Sequence, residues 1–219
     1  MNKQIKQRAK DILKNDLVTM LIGAGIFALA STVASIVSTN TIGSIISGLI
    51  STLVSACSAC FYYRAFLRGR GDTYDTYALL TDSVNLSKAI NIGFTMWILN
   101  TLISMLSTVL LVIPLVGAIA DLLIVTLVSY MLRVVWYLFI VNPRYQPVDY
   151  LKYSAEYMSG NIIEFIIFSI SVTFIPVILE SLLAFFIGSQ FANIICLPLD
   201  AYVGLAMAGY FAHLIPSNW

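Results

Sequence analysis

Charged residues are scarce in this sequence. Asp, Glu, Lys and Arg make up 11% of its 219 residues, whereas a soluble domain carries about 25%. Hydrophobic residues make up 59%, and the mean hydropathy is +0.90. This composition excludes a water-soluble globular domain and predicts an all-α polytopic membrane protein, with the lipid bilayer as its first partner. Because the formal net charge is only +1, the chain also lacks the basic face that nucleic-acid binding requires.

Residues that carry out catalysis or bind metals are few as well. The only histidine is His213, and the three cysteines lie inside apolar runs, with no second CxxC beside Cys57 and Cys60. The motifs HExxH and GxSxG and the glycine-rich phosphate loop do not occur. We therefore expect the cysteines to be small packing residues, and we expect neither an enzyme, nor a metal site, nor a cofactor.

Long hydrophobic runs dominate the chain. A bilayer core of about 30 Å needs about 20 apolar residues in a helix, and six stretches meet or approach that length. They are residues 17–38, 42–66, 89–113, 115–141, 162–187 and 192–214. The connections after the first, third and fifth stretches are very short, which predicts three helical hairpins. The first stretch follows basic residues as in a signal peptide, but it is long enough to span, so we expect a retained span.

The positive charges are distributed unevenly along the chain. Every Lys and Arg lies before the first stretch, around the second connection, or at or near the fourth, and none lies at a hairpin tip. By the positive-inside rule, this pattern predicts that both termini and both long connections face the cytoplasm. The expected organisation is a cytoplasmic amphipathic helix over 1–16, a single six-span domain over 17–214 and a cytoplasmic tail over 215–219.

A short amphipathic segment precedes each predicted hairpin. The apolar stripes are Ile5, Ala9, Ile12 and Leu13 before the first, and Val148, Leu151, Ala155 and Met158 before the third. Residues 72–83 form a less regular middle copy. Such stripes are typical of helices that lie in the membrane interface. The pattern is compatible with a threefold repeat, or simply with a chain that turns at a membrane surface.

Small residues recur at intervals of four in the first two spans. Ala30 and Ala34 share one face of span one, and Ser47, Ser51 and Ser55 share one face of span two. Small side chains let membrane helices approach closely. We therefore expect these faces to pack against each other.

Three carboxylates lie within the outer halves of the predicted spans. They are Asp121 in span four, Glu180 in span five and Asp200 in span six. An ionisable group at the centre of a membrane helix costs about 2.5 to 3.5 kcal/mol, so each one needs a partner or a purpose. One interpretation is a shared cavity that takes a cation, a proton or a basic peptide. The other is that each carboxylate bonds to a polar neighbour on another helix.

A single arginine lies in the opposite leaflet of span four. The long stem of Arg133 can carry its guanidinium to the inner interface, towards Glu164 near the start of span five. Trp136 belongs to a belt of aromatic residues at the same level, which is an ordinary anchoring device. We therefore expect Arg133, Glu164 and Trp136 to anchor the protein at the inner interface.

Several short motifs, taken together, resemble a known family. They are Val112-Ile113-Pro114, Tyr137-Leu138-Phe139-Ile140-Val141-Asn142-Pro143, Ser154-x-x-x-Met158-Ser159-Gly160, Leu197-Pro198 and Ala208-Gly209-Tyr210-Phe211-Ala212-His213-Leu214. This order resembles the bacterial membrane proteins of the domain-of-unknown-function family nine-seven-five. It is also distantly similar to the membrane domain of glycerophosphodiester phosphodiesterases. The resemblance implies a six-helix bacterial inner-membrane protein, sometimes found with peptide-bacteriocin export and immunity systems, and it supplies no catalytic residue.

These observations favour a non-enzymatic protein of the bacterial plasma membrane. The leading hypothesis is an accessory or immunity component that binds or helps move a small peptide or a lipid-like ligand. The alternative is a structural subunit that docks another membrane protein, such as a transporter.

Overall fold

The protein is an all-α bundle. The computed structural model describes residues 2–38, 41–110 and 116–215, and these contain helices and no strand. The helices are α1 Asn2–Asn15, α2 Leu17–Val37, α3 Thr41–Arg68, α4 Ala78–Thr81, α5 Ser83–Leu110, α6 Val116–Leu132, α7 Val134–Val141, α8 Pro147–Ser159, α9 Ile162–Ile187 and α10 Ser189–Leu214. A 3₁₀ turn, Thr73–Thr76, precedes α4.

Six helical segments are long and apolar enough to cross a membrane, which confirms the predicted fold class. They are Leu17–Val37, Gly43–Arg68, Ser83–Thr108, Ile124–Val141, Ile162–Ile187 and Phe191–Leu214. We number them spans one to six, so that α6 and α7 together form span four. The tight turn between spans five and six is at Gly188, whose φ of 87° suits glycine. The predicted hairpin turn around Pro114 lies outside the described residues.

Span three begins at Ser83, ahead of the predicted start at residue 89. The side chain of Asp82 accepts hydrogen bonds from the backbone N–H of Val84 at 3.0 Å and from the amide of Asn85 at 2.7 Å. These bonds satisfy groups at the helix start, which allows a polar first turn to join the apolar span.

Span four is interrupted at Arg133, between α6 and α7. The backbone of Arg133 keeps helical dihedral angles, φ −61° and ψ −28°, and its N–H bonds to the carbonyl of Tyr130 at 3.3 Å, so the irregularity is a local tightening of the helix. Beside it, the carbonyl of Met131 accepts the hydroxyl of Ser154, which belongs to α8 and is fully buried. The irregularity therefore coincides with the contact between span four and α8.

The apolar stripe predicted for α8 is confirmed only in part, since Met158 is buried and Leu151 and Ala155 are half-buried. Val148 is 66% exposed, whereas Tyr150, Ser154 and Met158 are completely buried against spans three and four. The hydroxyl of Tyr150 donates to the carbonyl of Asn142 at 2.8 Å, and burial raises the pKa of this phenol to about 12. The buried face is thus rotated away from the predicted one because it carries polar groups that bond to the bundle.

Helix α1 packs against other helices of the bundle. Its predicted stripe, which includes Ile5 and Ala9, is buried against spans two and six. A side chain at Gly209 of span six would overlap Phe66 and Ile5, so glycine is what permits this close approach. Arg8 donates to the carbonyl of Leu67 at 3.1 Å. The predicted apolar stripe of α1 is thus the buried face of the helix, and it packs against the bundle.

The less regular middle copy, predicted over residues 72–83, is a 3₁₀ turn followed by the short helix α4, and residues 69–82 form the middle segment. Asp75, which is 1% exposed, forms ion pairs with Arg64 at 2.8 Å and with Arg68 at 2.7 Å. The carboxylate of Asp16 accepts the backbone N–H of Gly71 at 2.7 Å. These contacts hold the segment against spans one and two. They also bring α1, segment 69–82, α8 and the end of α10 to one end of the bundle, which we call the basic end.

Candidate functional site

Arg133 lies at the junction of α6 and α7 in span four. Helix α7 has 8 residues, so Arg133 lies about 12 Å from the basic end of the span. This depth is inside the apolar core of a bilayer about 30 Å thick. Arg133 is exposed, and among the described residues it forms neither an ion pair nor a hydrogen bond. Its guanidinium instead lies over the ring of Tyr130, 5.7 Å from the centroid.

Arg133 lines a cavity of about 450 Å³ between spans two, three, four and six. This volume falls within the range of about 300 to 1,000 Å³ that is usual for ligand pockets. The lining residues are Ser55, Ser58, Ala59, Tyr62, Met96, Asn100, Ser129, Leu132, Arg133, Trp136, Tyr137, Gly204, Met207 and Phe211.

A second cavity of about 270 Å³ continues the first towards the opposite end of the bundle. The two share Ser55, Met96, Asn100 and Trp136, and the second adds Gly48, Ser51, Thr52 and Trp97. We call both cavities together the groove. Gly48 and Tyr62 are separated by about 21 Å along span two, so the groove covers much of the membrane thickness.

The packing of the helices explains why the groove is open. Spans two and three meet closely where Gly93 abuts Thr52, because any side chain at Gly93 would overlap that threonine. Helix α6 packs mainly on α5 and α8, so within residues 2–38, 41–110 and 116–215 no other span covers its side towards span two. Ser129 and Arg133 of span four and Asn100 of span three are consequently exposed.

The groove combines one cation with hydroxyls, an amide and apolar surface. Ser55, Ser58, Ser129 and Asn100 supply the neutral polar groups, and no carboxylate belongs to its described lining. An unpaired guanidinium at this depth is costly, and an anion would offset that cost. The apolar walls can accommodate a hydrocarbon body. The arrangement therefore suits an amphipathic anion.

The structure brings two of the three predicted carboxylates together. Glu180 and Asp200 are close enough to interact electrostatically, and Asp200 also interacts with Tyr62, which lines the groove. The side chain of Asp121 lies outside the described part of the chain. Asp200 is four residues from Gly204 on one face of α10, so it lies at the margin of the groove.

The small residues predicted to pack spans one and two take different positions. Ala34 is buried and Ala30 is half-buried, whereas Ser51 and Ser55 are exposed and line the groove, with Ser47 half-buried nearby. Spans one and two do pack against each other, but through aromatic rings. The ring centroid of Phe27 lies 5.9 Å from that of Phe61 and 6.1 Å from that of Tyr62.

The three residues expected to anchor the inner interface also separate. Glu164 is exposed on α9, and no ion pair joins it to Arg133 in the part of the chain that the structure describes. Trp136 is 7% exposed and lines the groove.

Cys57, Cys60 and Cys196 are free thiols, and all three are buried.

Sequence reasoning missed Asn100, Ser58 and Ser129 as site residues. Ser129 lies one helical turn before Arg133, so this pairing was visible in the sequence. Asn100 and Ser58 join it only through the packing of three spans.

No family model, curated protein or solved structure matches the chain. The family resemblance of the motifs stays an expectation.

Proposed function

We propose that the protein is a non-enzymatic membrane protein that binds a lipid-like anion in the groove. The observation that carries this proposal is Arg133, an intramembrane guanidinium without an anionic partner among the described residues, at the wall of a cavity of about 450 Å³. Burying or part-burying such a charge is favourable only when an anion or hydrogen-bond acceptors compensate it.

Different lining residues bind different parts of the ligand. Arg133 binds the phosphate or carboxylate, and hydroxyls such as that of Ser129 bind further oxygens of the headgroup. Met96, Trp97 and Trp136 contact the hydrocarbon chain. A basic peptide is disfavoured because the described lining contains a cation and no carboxylate.

We also propose an orientation in the bacterial plasma membrane. The basic end carries the lysines and arginines of α1 and of both long connections, which favours the cytoplasmic side by the positive-inside rule. Arg133 then faces the inner leaflet, where anionic lipids provide a ready supply of ligand.

The test measures the thermal stability of purified protein in a neutral detergent as ligand is added. Phosphatidylglycerol should stabilise the wild type, by about 2.7 kcal/mol at 100 times the dissociation constant. Phosphatidylcholine tests whether net negative charge is required. Glycerol 3-phosphate, which has no acyl chain, tests whether a free phosphate suffices, and we expect little effect from it.

Arg133→Gln should abolish the stabilisation by phosphatidylglycerol, and Arg133→Lys should retain part of it. Arg144→Gln is the matched control, because Arg144 is exposed at the basic end and lies outside the groove. Equal stabilisation of wild type and Arg133→Gln would contradict the proposal. So would equal effects of phosphatidylglycerol and phosphatidylcholine.

A further inference from the structure

The groove has a second property, which is its extent across the membrane. It runs for about 21 Å along span two, from Tyr62 to Gly48, in a bilayer core of about 30 Å. It therefore passes the middle of the membrane.

Polar groups line the groove along that length. Ser58, Ser55 and Ser51 follow one another on span two, and Asn100 of span three and Ser129 of span four face the same space. A lipid headgroup that crosses a bilayer loses its hydrogen bonds to water, which is the main cost of crossing. Ser55 and Ser58 donate their hydroxyl protons to backbone carbonyls of span two at 2.8 Å and 3.0 Å, so their oxygens remain as acceptors. Together with the amide of Asn100, the hydroxyl of Ser129 and the water that these groups hold, they can replace those bonds along the path.

The groove is also open on its side. Helix α6 packs mainly on α5 and α8, and Ser55, Asn100 and Ser129 are exposed. A headgroup can therefore move inside the groove while its acyl chains remain in the surrounding bilayer. Arg133 lies about 12 Å from the basic end, between the inner interface and the centre, where it can bind an anionic headgroup in transit.

We propose that the groove lets anionic lipids exchange between the two leaflets. This inference rests on the proposed function, since a headgroup must bind in the groove before it can cross. No covalent step is involved, and exchange runs in both directions down the concentration gradient of the lipid.

The experiment uses the full chain reconstituted in phosphatidylcholine vesicles that contain a trace of headgroup-labelled fluorescent phosphatidylglycerol. Dithionite outside the vesicles bleaches the outer leaflet, which holds about half of the label. If the groove passes lipids, vesicles that contain protein should lose most of the remaining fluorescence as well. Entrapped fluorescent glucose, which must stay unbleached, shows that dithionite does not leak inside.

Two variants examine the path itself. Ser55→Leu narrows the groove where its two cavities join, and Ser35→Leu is the matched control on an exposed face of span one. We expect exchange to slow by about tenfold in Ser55→Leu, the factor that corresponds to about 1.4 kcal/mol, and to stay unchanged in Ser35→Leu. Asn100→Leu, on the other wall, should act in the same way and covers the case in which Ser55→Leu does not fold.

The outcomes separate this inference from the proposed function. Bleaching that stops at about half, in protein that phosphatidylglycerol still stabilises, overturns lipid exchange and leaves lipid binding in place. Absence of both effects overturns both proposals. Complete bleaching that neither groove variant slows shows that lipids cross elsewhere, and it also overturns the inference.

Discussion

Ser154 of α8 donates its hydroxyl to the carbonyl of Met131, close to the junction of α6 and α7 in span four. Arg133 follows that carbonyl by two residues and lines the groove. A helix that is not itself a span is thus bonded to span four beside the candidate site.

The first prediction concerns this hydrogen bond. Ser154→Ala leaves the buried carbonyl of Met131 without its donor, which should destabilise the protein by about 1 to 3 kcal/mol. Thermal unfolding in detergent measures the effect. Ser159→Ala, which removes an exposed hydroxyl from the same helix, should change stability by less than about 0.5 kcal/mol. Equal effects of the two changes would show that the bond from Ser154 to Met131 does not stabilise the fold.

A second prediction concerns the ion pairs of segment 69–82. Asp75→Asn removes a buried charge that compensates Arg64 and Arg68, and it should cost about 2 kcal/mol. Limited proteolysis should then cut the segment faster. Asp72→Asn is the control, because Asp72 is exposed and an asparagine can still accept the N–H of Tyr74. Unchanged proteolysis in Asp75→Asn would show that other contacts hold the segment.

The third prediction tests the close approach of spans two and three. Gly93→Ala places a methyl group against the side chain of Thr52 and should cost about 1 to 3 kcal/mol. Thr52→Ser removes the overlapping methyl group, so the double variant should recover much of the loss. Gly25→Ala, where no atom lies within 4 Å of the added carbon, should be nearly neutral. If the losses of stability caused by Gly93→Ala and Thr52→Ser simply add in the double variant, that result would argue against this contact.

The fourth prediction concerns pH. The pKa of Tyr150 is raised to about 12 from 10.0 by burial, so the folded state holds the phenol proton more tightly than the unfolded chain does. This contribution to stability is complete below pH 10 and disappears as the pH rises to about 12. Between pH 10 and about pH 12, the Tyr150→Phe variant should therefore lose less thermal stability than the wild type does. An unchanged alkaline profile in this variant would assign the loss to other groups.

The fifth prediction concerns orientation. In intact cells, a membrane-impermeant thiol reagent should label Ser38→Cys at a hairpin tip and should not label Lys10→Cys or Glu156→Cys at the basic end. The background for this experiment replaces the buried Cys57, Cys60 and Cys196 with alanine. The reverse labelling pattern would place the basic end outside.

The sequence was sufficient to predict the spans, because a helix in lipid satisfies its own backbone and is recognised by apolar length alone. The interruption at Arg133 was not predictable in this way. It lies beside the bond from Ser154 to Met131, which forms only when α8 packs against span four. The same packing determines which face of α8 is buried, and it explains why Val148 is exposed despite its place in the apolar stripe.

The candidate site was predictable only in part. Arg133 stood out as a charge in an apolar run, but its depth alone could not distinguish an anchor from a binding group. The serines of span two occur at a spacing that also suits helix packing. Only the arrangement of spans two, three and four assigns Ser51 and Ser55 to the groove and leaves the contact with span one to Phe27.

The contact of α1 with span six has a consequence for biosynthesis. Ile5 abuts Gly209, about 200 residues later in the chain. At about 5 to 20 residues per second, the ribosome needs about 10 to 40 s to make that stretch. During this interval the apolar face of the newborn α1 lacks its final protein cover. The membrane surface is the apolar phase within its reach, so we expect α1 to lie on that surface first and to dock once the last span has been inserted.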